Sequence, residues 1–128
     1  MNNITTKPLN NMIINASRDG DVKTTEELLT KGADKDATDG IGMTALLYAC
    51  AFGHADIVSV LLHAGASSES ACMLACTPLI TATKYRHTDV VKVLVSYGVP
   101  LNEQDAYGAT ALEYATRGGY TDIMELVK

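Results

Sequence analysis

The sequence predicts an all-α solenoid of four stacked helix–turn–helix units joined by hairpin-like finger loops. Two observations carry that expectation. The chain repeats every 33 residues: "TALLYACAFGH" from Thr44, "TPLITATKYRH" from Thr77 and "TALEYATRGGY" from Thr110 share one register, and "NMIINASRDGD" from Asn11 keeps it more loosely. Within a copy, short stretches on either side of a turn place apolar residues at helical spacing, giving faces that only a neighbouring copy can cover. Several columns hold the register at once: Ile13, Leu46, Leu79 and Leu112; Ala16, Ala49, Ala82 and Ala115; Leu28, Leu61, Leu94 and Val127; Gly32, Gly65 and Gly98. The units are expected near 7–39, 40–72, 73–105 and 106–128, one domain spanning 1–128 with its last unit incomplete.

Each element has a local reason. Thr44, Thr77 and Thr110 are N-cap residues for the first helix of their units, and Pro78 sits where a missing N–H costs nothing. The recurring Ala is small, so the next unit's helix can approach. Gly53-His54, Arg86-His87 and Gly119-Tyr120 break that helix. A second helix follows, with Asp56, Asp89 or Asp122 in its first turn, where the helix dipole favours negative charge. "DIVSVLL" and "DVVKVLV" give it a broad apolar face, and Gly32, Gly65 and Gly98 stop it in a left-handed conformation. About ten residues then return the chain to the next Thr, room enough for a finger. The matching glycine of the fourth unit would fall beyond Lys128, so either the native chain continues or Met124–Lys128 frays.

Composition bounds the function. The 128 residues are 47% hydrophobic and 20% charged, sufficient for a globular core. The net charge of −5 argues against non-specific nucleic-acid binding and against anionic membranes. "MNNITTKPLN" has no apolar core of a secretory signal, and no apolar run is long enough to span a bilayer. Cys50, Cys72 and Cys76 are an odd, sparse set that fits a reducing compartment, hence the cytoplasm or a host-cell cytosol.

"GIGMTA" (Gly40–Ala45) matches a dinucleotide-binding fingerprint but fails the context that the chemistry needs. The preceding "ADKDATD" is polar and is not a strand, and Gly65 stands where an acidic ribose ligand is required. Gly42 instead recurs as Gly108, and Thr44 in every later unit, so the stretch is a finger-to-helix junction. Cys72-x-x-x-Cys76 has no second close pair to complete a zinc site and is read as two small loop residues. Cys50 fills a buried small-residue slot, and His63 an exposed helix end. Asp34, Asp36 and Asp39 lack the Gly and Glu of a calcium loop and are read as a solvated finger. No Ser/His/Asp set or carboxylate pair recurs. No cofactor, metal or catalytic residue is therefore expected.

The 33-residue period with "TPL" at Thr77–Leu79, "GH" at Gly53-His54, "IVSVLLHAGA" at Ile57–Ala66 and "LLTKGAD" at Leu28–Asp34 resembles the ankyrin repeat. The resemblance runs from about Pro8 to Lys128. It implies a structural role for His54 and His87, whose rings bond backbone, and a non-catalytic domain that binds a partner protein on its finger and first-helix face. It equally admits a targeting or regulatory domain of a longer enzyme or effector. The contact positions it implies are Ile41, Met43 and Phe52 in the second unit, Met73, Leu74, Lys84 and Tyr85 in the third, and Tyr107 and Arg117 in the fourth. Alternatively these side chains fold back on neighbouring fingers and stiffen the array. The unbound protein is expected to be monomeric. Three departures from the family pattern stand out. Leu47, Ile80 and Glu113 replace the His after Thr-Pro-Leu, removing its bond to the turn. Ala75 and Cys72 replace the finger Gly and Asp, and Arg86 replaces the turn Gly. The third finger and turn are therefore expected to differ in shape.

The glycine column yields a direct test. Gly65 should have positive φ, and Gly65→Ala should destabilise by about 1 kcal/mol, read as a lowered urea midpoint.

Overall fold

A computed structural model describes residues 2–69, 72 and 74–128. Among them are eight helices in four antiparallel pairs: α1 (Asn2–Asp19) with α2 (Val22–Thr30), α3 (Ala45–Phe52) with α4 (Ala55–His63), α5 (Pro78–Lys84) with α6 (Thr88–Ser96), and α7 (Ala111–Gly118) with α8 (Thr121–Val127). First helices pack on first helices and second on second, so the pairs form two layers. The core lies between the layers. Ile13, Leu46, Leu79, Ala49, Ala82, Ala115, Leu28, Leu61, Leu94 and Val127 are buried in it, while Leu112 is half-buried.

The caps follow the sequence. The Oγ1 of Thr44 accepts from Leu47 N–H at 3.1 Å, and Thr77 does the same for Ile80 at 3.2 Å. In the fourth unit Glu113 completes a capping box: its carboxylate accepts from the N–H of Thr110 at 3.2 Å while Thr110 Oγ1 caps Glu113 N–H. The family's missing His bond thus has a local replacement there. Gly65 has φ 91°, as its column predicts. The first unit differs from the others. It has no Thr at its register position, and α1 runs unbroken from Asn2 to Asp19 through Pro8, which withholds a single helical N–H.

Each finger closes on itself. Asp39 N–H donates to Met43 O at 3.0 Å, Asp105 N–H to Ala109 O at 3.0 Å, and Cys72 N–H to Cys76 O at 3.5 Å. A single antiparallel bridge, Thr38 with Thr44, is the extent of strand pairing among the described residues. Fingers are also tied to one another: Ala106 N–H donates to Leu74 O at 2.9 Å and Ser67 N–H to Asp36 Oδ1 at 2.8 Å.

At the described residues, the expected difference in shape is not found at Ala75 or at the Arg86 turn. Ala75 adopts φ 57° where Gly42 has 83° and Gly108 has 78°, and Arg86 adopts φ 56° where Gly53 has 79° and Gly119 has 69°. The closing bonds are kept as well, since Ala75 N–H donates to Cys72 O at 2.8 Å and His87 N–H to Ala82 O at 2.9 Å. Neighbouring units on both sides fix the path of the backbone, and the two L-residues accept a left-handed conformation that costs each about 1–2 kcal/mol.

The residue after each turn decides how units lock. His54 Nε2 bonds Arg18 O at 2.9 Å and His87 Nε2 bonds Ala51 O at 2.8 Å, both carbonyls at the end of the preceding unit's first helix. To reach back, neither ring caps its own helix. In the first unit the same position is Asp21, which caps its own helix, α2, by accepting from Thr24 N–H at 3.1 Å. A Cβ on Gly20 would lie 2.8 Å from the His54 ring, and one on Gly53 would lie 2.6 Å from the His87 ring. Gly53 is thus required twice, by its φ and by the ring beside it. Gly53→Ala should destabilise by about 2–3 kcal/mol, a left-handed penalty plus a disturbed hydrogen bond, and clearly more than Gly65→Ala. Urea unfolding of the two variants side by side checks this.

Candidate functional site

The second and fourth fingers are each held against the first helix that follows, making a finger and first-helix face. Its framework is a set of aspartates. Asp39 Oδ1 accepts from the N–H groups of Ile41 at 3.0 Å and Met43 at 2.9 Å, and Asp39 Oδ2 accepts from the Tyr48 hydroxyl on α3. Asp105 repeats the pattern, accepting from Tyr107 N–H at 2.9 Å, Ala109 N–H at 3.0 Å and the Tyr114 hydroxyl on α7. Asp39 is therefore not merely a solvated finger residue: it shapes its finger and pins it to a helix.

A cation from the preceding unit covers each tyrosine. The Arg18 guanidinium lies 5.9 Å from the Tyr48 ring centre, and the Lys84 ammonium 5.4 Å from that of Tyr114. Arg117 approaches Tyr114 from its own helix at 5.7 Å and Glu113 at 3.9 Å. The tyrosine bond, with the finger N–H bonds, holds the Asp105 carboxyl below its usual value against the opposing effect of burial. The same bond pushes the Tyr114 hydroxyl up to about 12, with burial adding to it. At Asp39 burial works to raise the carboxyl, but the bonds from Tyr48, Met43 and Ile41 outweigh it and the net shift is downward. Tyr48 is raised, chiefly by Asp39.

The third unit breaks the pattern. Cys72 stands for the Asp, Thr81 for the Tyr and Ala51 for the preceding cation. A cavity of about 180 Å³ opens there, lined by these three with Met43, Leu74, Cys76, Lys84 and Tyr85. Four of the sequence-predicted contact residues, Met43, Leu74, Lys84 and Tyr85, are brought together at this cavity. Ile41, Phe52, Tyr107 and Arg117 are exposed and do not line it. Phe52 lies parallel to Tyr48, with ring centres 6.4 Å apart. Met73 falls outside the described residues. The sequence reading missed Asp39, Tyr48, Asp105, Tyr114, Ala51 and Thr81. Their signal was available: two columns that read Asp, Cys, Asp and Tyr, Thr, Tyr change together in the third unit.

The remaining candidates are structural. Cys50 is fully buried, and burial pushes its thiol far up, which leaves it inert. Burial likewise raises the Cys76 thiol. Among the described residues no group of His, Cys, Asp or Glu is gathered to hold a metal ion, and no helix is long and apolar enough to cross a membrane.

Two family models match this chain. Ankyrin repeats in many copies match residues 13–62, and ankyrin repeats in three copies match residues 68–128. The chain belongs to the ankyrin-repeat family. No curated protein matches it. Ankyrin repeats are generally protein–protein interaction modules and are typically non-catalytic. Within this ankyrin stack the Asp–Tyr pairs make a pH prediction. Because Asp105 titrates below its ordinary 3.8 in the folded state, the unfolded chain binds more protons through that range. The stabilisation is complete above 3.8 and is lost as pH falls through the lower folded value. Asp105→Asn should therefore lower the urea midpoint at neutral pH, and the difference from wild type should shrink on acidification below 3.8.

Proposed function

We propose that the chain is a non-catalytic binding module that docks a partner protein across its fingers and first-helix ends, over Phe52, Tyr85 and Tyr107, with Arg117 at the rim. One observation carries the reading: Ile41, Phe52, Leu74, Tyr85 and Tyr107 are five of the seven exposed large apolar side chains among the described residues, and all five come from fingers or first-helix ends. Phe52 is 54% exposed, Tyr85 60% and Tyr107 76%, so more than half of each residue's surface is open to a ligand protein. Folding supplies no reason for such a patch, whereas aromatic and Arg anchors dominate interface energetics. Met43, half-buried beside them, and Ile41 extend the surface toward the second finger. The partner is another protein rather than nucleic acid or membrane, in keeping with the net charge of −5. The unbound protein is monomeric. Three free thiols, at Cys50, Cys72 and Cys76, support a reducing cytoplasm or a host-cell cytosol as its location.

The test is alanine replacement at Phe52, Tyr85 and Tyr107 one at a time, each variant checked for retained folding. Binding to the partner recovered from the source cell should weaken about tenfold or more for at least one variant. Wild-type affinity in all three would place the site elsewhere, most simply on the outer helices.

A further inference from the structure

Three positions distinguish the middle of the finger and first-helix face from its two ends. At each end an acidic finger residue, a tyrosine and a cation from the preceding unit fill the space between finger and helix: Asp39, Tyr48 and Arg18 on one side, Asp105, Tyr114 and Lys84 on the other. In the middle the same three positions are Cys72, Thr81 and Ala51. A carboxylate, a phenol and a cation are all replaced by smaller uncharged groups, and the volume they vacate is the cavity of about 180 Å³. That cavity is a notch left by three concerted truncations. It is smaller than the roughly 300–1,000 Å³ of small-molecule sites, yet larger than the ~150 Å³ cavity that accepts a benzene ring.

We infer that this notch is the anchor pocket for one aliphatic or aromatic side chain of an acidic partner segment. The inference rests on the finger-face reading above and specifies the partner's chemistry. The size suits a single Leu, Met or Phe side chain, and the walls, with Met43 and Leu74 beside the three truncated positions, hold no carboxylate. The acidic character follows from charge complementarity. The column that ends the first helices reads Arg18, Ala51, Lys84 and Arg117, a row of cations interrupted only at the notch, on a chain of net charge −5. Lys84 lines the notch and forms no ion pair within 4 Å among the described residues. A carboxylate next to the anchor residue would meet Lys84 first, with Arg18 and Arg117 to either side, which fixes the register of the segment and speeds its encounter.

A random peptide library displayed on phage provides the probe. It is selected on the whole chain and counter-selected on Ala51→Arg/Cys72→Asp/Thr81→Tyr, which gives the notch the kinds of side chain that the matching positions on either side of it carry. Thermal melting by circular dichroism checks that this variant folds, and Ala51→Arg alone serves in its place if it does not. Recovered peptides should share one Leu, Met or Phe with Asp or Glu close by. Synthetic copies should bind the wild type, weaken about tenfold or more on the filled variant, and weaken also on Lys84→Glu. Peptides that bind the filled variant as well as the wild type overturn the notch. If those peptides still lose affinity on Phe52→Ala or Tyr107→Ala, the finger-face reading survives that failure; if they do not, it falls as well. Basic rather than acidic flanks, or no enrichment over the filled variant, overturn the proposal.

Discussion

A stack of helix pairs survives only if the turn inside one pair leaves room for the pair that follows. Here that room is the missing Cβ of Gly20 and Gly53, and the group that occupies it is the ring of His54 or His87. Each ring satisfies a carbonyl at the end of the preceding first helix, a terminus that otherwise leaves acceptors without partners. One contact therefore sets the spacing between units, closes a helix end and leaves no room for a Cβ at the turn. The alignment of the Ala49, Ala82 and Ala115 column, and with it the buried core, depends on that spacing.

Departures from this arrangement come in pairs. Arg86 carries the Cβ that Gly53 lacks, and the following unit answers with Tyr120 in place of a histidine. The Arg86 guanidinium lies 4.7 Å from the Tyr120 ring centre, so a cation–π contact replaces the ring-to-carbonyl hydrogen bond. Cys72 and Thr81 show the same logic in the fingers. An aspartate without its tyrosine would lose the hydroxyl that lowers its pKa, and a tyrosine without its aspartate would leave a half-buried phenol unpaired. Replacing both costs less than replacing either. The fold therefore tolerates a middle unit whose surface chemistry differs sharply from that of its neighbours.

Much of this architecture is legible in one sequence, because its signals are local and repeated. Thr44, Thr77 and Thr110 announce helix starts, Gly32, Gly65 and Gly98 announce helix ends, and the fixed period says what stacks on what. Other features depend on contacts between units and stayed hidden. Ala75 and Arg86 suggest altered loops when read alone, whereas neighbours on both sides hold the backbone to the common path. The pairing of Asp39 with Tyr48 spans nine residues, and its cation, Arg18, comes from another unit, so no single window displays the set. The beginning of α1 was missed for a different reason: without a Thr to mark a start, the chain continues helical upstream through Pro8.

The keyed turns also bear on how such a chain can change length. A repeat protein is often pictured as beads that may be duplicated or deleted at will. In this one the third bead ends its first helix in Arg86 and is matched to the Tyr120 of the fourth. A tandem copy of the third unit would bring Arg86 against a second His87, where the Cβ and the imidazole compete for the same space. Loss of the third unit alone would set Gly53 beside Tyr120 and strand the Ala51 carbonyl that His87 now satisfies. Unequal crossing-over within this gene is thus penalised at the joints rather than in the beads, and the order of the four units is as much a part of the folded design as their composition.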